Sequence, residues 1–124
     1  MKGNGISVLL VDDDRSILRT FTRILQKAGF STGTAESGKE ALHRIQSRKY
    51  DVALIDLMLG DSSGIDLLPK IEETSPNTVK IIITGADSYE SKQEACKNGA
   101  DAYLTKPVNP EMLINVFEEK LKCR

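Results

Sequence analysis

The stretch ISVLLVDDD, residues 6–14, decides how this chain is read: an almost unbroken apolar run opens directly onto three consecutive carboxylates, Asp12, Asp13 and Asp14. A run this rich in Val, Leu and Ile suits a strand covered on both faces. Three like charges side by side repel one another. Either water screens them, or a cation sits among them.

Working outward, four further short runs follow: STGTA (31–35), DVALID (51–56), VKIIIT (79–84) and DAYLT (101–105). STGTA is weakly apolar and reads as a strand mainly from its place in the series. Helical spacing separates the runs. Ile17, Leu18, Phe21, Ile24, Leu25 and Ala28 form the first stripe, with Gly29 as a left-handed stop. Ala41, Leu42 and Ile45 follow Ser37, a fitting N-cap. Ile65, Leu67, Leu68 and Ile71 predict a third helix ending before Ser75–Pro76. A polar fourth helix runs from Tyr89 to Lys97 and stops at Asn98–Gly99. Met112, Leu113, Val116, Phe117 and Leu121 mark a fifth, with Pro110 suited to its first turn.

Strand–helix alternation repeated five times predicts an α/β fold: a doubly wound, five-stranded parallel sheet with short right-handed crossovers. In the flavodoxin-like (βα)5 arrangement, strand order 2-1-3-4-5, the first, third, fourth and fifth segments surround the switch point, and ligands bind outside the carboxyl ends of the strands. A length of 124 residues fits one domain, 1–124, and 40% apolar with 28% charged residues is ordinary globular composition. The net charge of −1 points to no nucleic-acid or acidic-membrane surface. No apolar stretch approaches the ~20 residues of a spanning helix. MKGNGISVLL lacks the long apolar region and cleavage site of a signal peptide. Cys96 and Cys123 are too few and too far apart for a disulfide framework or zinc site. A reducing, cytoplasmic setting is expected.

The strand ends carry the chemistry. Asp12 and Asp13 close the first run, Asp56 the third and Thr84 the fourth, and Lys106 follows the fifth, all on one rim. Each has a plainer reading. Asp13 or Asp14 could cap the first helix, and Asp14 is the expected cap. Thr84 is a common strand residue, Lys106 could lie on the surface, and Tyr103 could be an amphipathic strand residue. Asp56 is harder to dismiss, because Val52–Ile55 and Leu57–Leu59 flank it, and a carboxylate inside such a run needs a partner or a function. Carboxylates gathered on a rim attract a hard divalent cation, and magnesium suits one or two of them plus waters and a phosphate. A carboxylate can also accept a phosphoryl group as nucleophile, helped by cations and donors on the equatorial oxygens. Lys106 and Thr84 would supply those.

The motifs VLLVDDD, DVALIDLML, IIITGAD and DAYLTKP together, spanning residues 6–122, resemble the receiver (phosphoacceptor) domain of two-component response regulators. The resemblance implies Asp56 as phosphoacceptor. It implies Asp12 and Asp13, with Asp56 and the Met58 backbone carbonyl, as ligands of Mg2+ (Mn2+ being the alternative ion). Thr84 would be the switch hydroxyl, Lys106 the lysine pairing with the phosphate, and Tyr103 the switch aromatic. The Lys106–Pro107 bond is expected to be cis. The implied donor is a sensor histidine kinase or a histidine phosphotransfer protein. An output domain or downstream protein would read a surface formed by the fourth helix, fifth strand and fifth helix, which is also the family's homodimer face. No separate turnover substrate, nucleic-acid contact or membrane contact is implied.

One departure stands out. The family often has proline four residues after its phosphoacceptor; here Gly60 stands there, followed by Asp61, so a more flexible loop and an added negative charge near the site are expected. His43, in ALHRIQ, reads as a surface residue. Three rivals remain: a nucleotide- or flavin-binding domain, which would want glycines where DDDRS stands; a phosphatase, which would want a second carboxylate at Met58; and a degenerate receiver that only binds proteins.

Overall fold

The computed structural model describes residues 5–123. Five strands and five helices alternate: β1 (Ser7–Val11), α1 (Arg15–Lys27), β2 (Ser31–Ala35), α2 (Gly38–Ser47), β3 (Val52–Asp56), α3 (Gly64–Thr74), β4 (Val79–Thr84), α4 (Tyr89–Lys97), β5 (Ala102–Thr105) and α5 (Pro110–Lys122). All pairings are parallel, in the order β2-β1-β3-β4-β5. Both the architecture and the order match the expectation. Even STGTA forms its strand, though only Ala35 in it is fully buried.

The near-continuous apolar runs exist because the central strands have helices on each side. Alternate residues point to opposite faces. Val8, Leu10, Val52, Leu54, Val79, Ile81 and Ile83 meet Leu18 and Leu25 of α1 and Leu113, Ile114 and Phe117 of α5. Leu9, Val11, Ala53, Ile55 and Ile82 meet residues of α2 and α3, with Ala95 of α4. The α1/α5 layer includes an edge-to-face ring pair, Phe30 on Phe117, with centroids 5.7 Å apart.

Lys80 interrupts the apolar pattern of β4 at a buried position, which the reading of VKIIIT as a hydrophobic strand passed over. Its ammonium meets Glu72 at 2.6 Å and Asp101 at 3.8 Å. Both carboxylates stay half exposed, so the pair keeps contact with water, as a long cationic side chain requires.

The helix ends follow local chemistry. Asp14 caps α1, accepting from the backbone N–H groups of Ser16 at 2.9 Å and Ile17 at 3.4 Å. Gly29 has φ +94° where the first helix stops, and Asn109 caps α5 ahead of Pro110. The start of α3 is the tightest junction. The Gly64 N–H donates to the Leu57 carbonyl at 2.7 Å, and a Cβ on Gly64 would collide with the Asp56 carbonyl and the Ile55 side chain. Gly64→Ala is therefore expected to cost about 1–3 kcal/mol by overpacking, read as a lower urea midpoint with an unchanged slope.

Candidate functional site

The parallel pairing brings the carboxyl ends of β1, β3, β4 and β5 to one rim. Val11 is level with Ile55, so Asp12 and Asp56 emerge side by side from neighbouring strands. Thr84 is level with Thr105, and the Lys106 N–H donates to the Thr84 carbonyl at 2.8 Å. Ligand oxygens of Asp12, Asp13 and Asp56 all lie within 4.8 Å of one another. Asp12 and Asp56 are buried, and Asp13 is exposed. Asp14, spent on the helix cap, is not part of this group.

Two buried carboxylates this close repel by roughly 3 kcal/mol at an effective dielectric of about 20. Lys106 offsets this. Its ammonium lies 3.1 Å from Asp56 Oδ2 and 3.5 Å from Asp12 Oδ2. Burial, reinforced by the Asp56 charge, pushes the Asp12 carboxyl above its ordinary value, against the Asp14 N–H bond and Lys106. Burial works against the Lys106 charge. The bond to Asp56 and the charges of both aspartates outweigh it, so its pKa lies above the usual lysine value. One ammonium thus pairs with two of the three clustered carboxylates, leaving an excess of negative charge held in oxygen donors. An oxygen-only set of this kind fits a hard divalent cation of the magnesium class.

Asp56 has a second contact: the Met58 N–H donates to its Oδ1 at 3.3 Å. The Met58 side chain is 66% exposed, while its neighbours Leu57 and Leu59 are buried and hold the loop down. The Lys106–Pro107 bond is cis, as expected. Thr84 Oγ1 accepts from the Ala86 N–H at 2.9 Å, which leaves its hydroxyl proton available to a further acceptor.

Tyr103 lies beside Ile82 in the β4–β5 register, and its ring packs on the α2–α4 side of the sheet. By strand alternation Thr84 points to the same side as Ile82. The Tyr103 hydroxyl is buried, and among the described residues no group reaches it in hydrogen-bonding geometry. Asp87, Ser88 and Ser91 lie nearby. Burial first, then the Asp87 carboxylate, pushes the phenol above its usual pKa.

The expectation for Asp61 needs correction. Its charge is not added to the rim: the carboxylate turns away and accepts backbone N–H groups at the start of α2. Nor is the loop loose. The Leu59 N–H donates to the Ser62 carbonyl at 3.0 Å, and Met58 and Ser63 form an antiparallel bridge. Nothing in the spacing of GDSSG signals this contact, whose partner lies 22 and 23 residues earlier. His43 is exposed, and Cys96 and Cys123 are exposed free thiols. Beside the rim runs an apolar groove of about 500 Å³, lined by Ile17, Leu18, Phe21, Pro107 and Val108, with Asp12 and Lys106 at its edge.

Known proteins share both sequence and fold. The family model described as the response regulator receiver domain matches residues 8–118. The alginate biosynthesis transcriptional regulatory protein AlgB of Pseudomonas aeruginosa is 34% identical over 117 residues, covering 94% of this chain and 26% of AlgB. The chain thus spans about a quarter of that curated relative. A CheY-like receiver domain protein from Methanospirillum hungatei superposes with a TM-score of 0.91 at 38% identity, covering 94% of each chain. A Burkholderia pseudomallei response regulator, solved with a phosphorylated aspartic acid, a calcium ion and citrate, gives 0.89 at 29% identity, covering 94% of this chain and 69% of that one. A match across nearly the whole described chain, on a fold whose rim gathers the acidic residues, places the protein in the response regulator receiver domain family of two-component systems.

Proposed function

We propose that this receiver takes a phosphoryl group onto Asp56 from the phosphohistidine of a sensor kinase or phosphotransfer protein, in a Mg2+-dependent reaction. The carrying observation is the convergence of three carboxylates within 4.8 Å, two of them bonded to one lysine. An oxygen of the Asp56 carboxylate attacks phosphorus, the phosphorus–nitrogen bond breaks, and its electron pair returns to the donor imidazole, leaving an acyl phosphate. Asp12, Asp13, Asp56 and the Met58 carbonyl would hold the cation, which neutralises charge on the transferring oxygens. Lys106, already on Asp56 Oδ2, passes to a phosphoryl oxygen. The apolar groove beside Lys106 suits the face of the donor protein. A phosphorylated aspartate and a bound divalent ion in the Burkholderia relative support the same reading.

Phosphorylation would replace the single charge of the Asp56 carboxylate with an acyl phosphate carrying about −1.5 to −2. The Thr84 hydroxyl then turns to the new oxygens, and Tyr103, on the same side of the sheet, follows into the space released. The face formed by α4, β5 and α5 changes shape and is read by an output domain or downstream protein, or by a second copy of the chain. The two states shift only by as much as the phosphate interacts differently with each.

Three measurements test this. Asp56→Asn should abolish incorporation of labelled phosphate from a histidine kinase or a small acyl phosphate; full labelling would remove Asp56 as acceptor. Thr84→Ala should keep most of the labelling yet lose most of the amide chemical-shift response in α4 and β5, and an unaltered response would take Thr84 out of the switch. The third concerns pH. Because the Asp12 pKa is raised in the fold, the folded protein keeps that proton to higher pH than the unfolded chain. Stability without metal is therefore lost as pH rises through the folded pKa, and the cation competes with the proton. MgCl2 in hundredfold excess over Kd should stabilise the protein by about 2.7 kcal/mol where Asp12 is ionised, and the rise in melting temperature should shrink as pH falls through the acid range and Asp12 takes up its proton. A shift that stays constant while pH falls through the whole acid range would exclude Asp12 as a ligand.

A further inference from the structure

The loop between β3 and α3 carries Asp56 at its start and Met58 two residues on, and its tip is Gly60–Asp61. At the tip Asp61 makes a two-pronged contact with a different element. Oδ1 accepts from the Gly38 N–H at 3.0 Å and Oδ2 from the Lys39 N–H at 3.3 Å, the first two amides of α2. The next amide, Glu40, is taken by Ser37 Oγ at 3.1 Å, and the Ala41 N–H by the Ser37 carbonyl at 3.0 Å. The first turn of α2 is therefore satisfied only with Asp61 in place, since a helix start leaves its amides without internal partners. Ser62 Oγ, 3.2 Å from Asp61 Oδ1, completes the clasp.

The two segments fit each other sterically. A Cβ on Gly38 would strike Ser62 Oγ and Leu67, so SGK at residues 37–39 accommodates DSS at residues 61–63. The hydrogen bond from Gly38 above all, with those from Lys39 and Ser62, holds the Asp61 carboxyl below its usual range. The charge is thus present throughout the neutral range and directed at the positive end of α2. On the other flank of the tip, Gly60 faces Asp13, with 3.7 Å between the position of a Cβ and Asp13 Oδ2.

We infer that Asp61 is a positioning residue, which by clasping the start of α2 fixes the loop tip and thereby aims the Met58 carbonyl at the divalent cation, in place of the rigidity a proline would give at Gly60. The inference rests on the metal-dependent reading above. It assigns α2 a part in metal affinity and phosphate lifetime although Asp61 engages it through backbone amides and not through a side chain of α2. Gly60 has no positive φ, no backbone bond runs from its N–H among the described residues, and a Cβ there would meet only Asp13 Oδ2, at 3.7 Å, so none of these three features bars a proline.

The experiment is calorimetric titration of the full chain with MgCl2, paired with the decay of label after treatment with a small acyl phosphate. Asp61→Ala should weaken Mg2+ binding about tenfold, as loss of an outer-shell partner does, and should alter the decay rate. Asp61→Asn, keeping one acceptor, should fall between. Gly60→Pro in the Asp61→Ala background should restore affinity. A lower melting temperature with unchanged Mg2+ affinity would reduce Asp61 to a helix cap and overturn the inference, as would failure of Gly60→Pro to rescue. If Asp61→Ala does not fold, Asp61→Asn alone decides by the same two criteria. Wild-type protein that binds no Mg2+ and takes no label would overturn the parent reading instead.

Discussion

The crowding of Asp12 against Asp56 is the constraint on which the site depends. Adjacent strands of a sheet lie about 4.8 Å apart, so carboxylates closing neighbouring strands at one level have no room to separate. The order β2-β1-β3 makes these two strands neighbours, although 44 positions separate the residues in sequence. The counter-charge comes from farther still, since Lys106 is 50 and 94 positions from its two partners. Charge balance at the rim is therefore a property of the finished sheet. No single segment of the chain can establish it alone.

That dependence also separates what was legible in the sequence from what was not. The strands in VLLV, VALI and IIIT were readable because helices on both faces demand unbroken apolar character. Asp14 was readable as a cap because capping is local. STGTA could be placed only by its position in the series, since an edge strand buries less and need not advertise itself. The rim residues were legible as a set because strand ends are where ligands bind in such sheets, and the family's motifs strengthened each one. The direction of the Asp61 carboxylate was not legible. Its partners are backbone N–H groups, which every residue but proline possesses, so no residue type at the far end betrays the contact. Lys80 could have been noticed, because a lysine within VKIIIT contradicts the pattern around it, but its partners on α3 and after α4 required the fold.

The same rim explains why a chain of ordinary composition tolerates such a local concentration of charge. Asp14 gives its charge to α1 and Asp61 gives its charge to α2, two helices whose starts lie beside the acidic strand ends. Of the five aspartates in this region, the three that remain are the ones without an amide-rich helix start to satisfy them. The helix starts thus separate the aspartates that satisfy backbone amides from those left clustered at the rim.

Lys80 and Asp101 give α4 an unequal footing. Below its last turn, the Lys80 N–H donates to Asp101 Oδ2 and the Asp101 N–H to the Lys80 carbonyl, beside Gly99. At the opposite end Tyr89 stands 73% in solvent, and Ala95 alone is fully buried within the helix. A rod clamped at its base travels farthest at its free tip, and nine residues of helix give a lever arm of about 13 Å. A small rotation at the base is thus magnified at the end of α4 that borders the acidic rim.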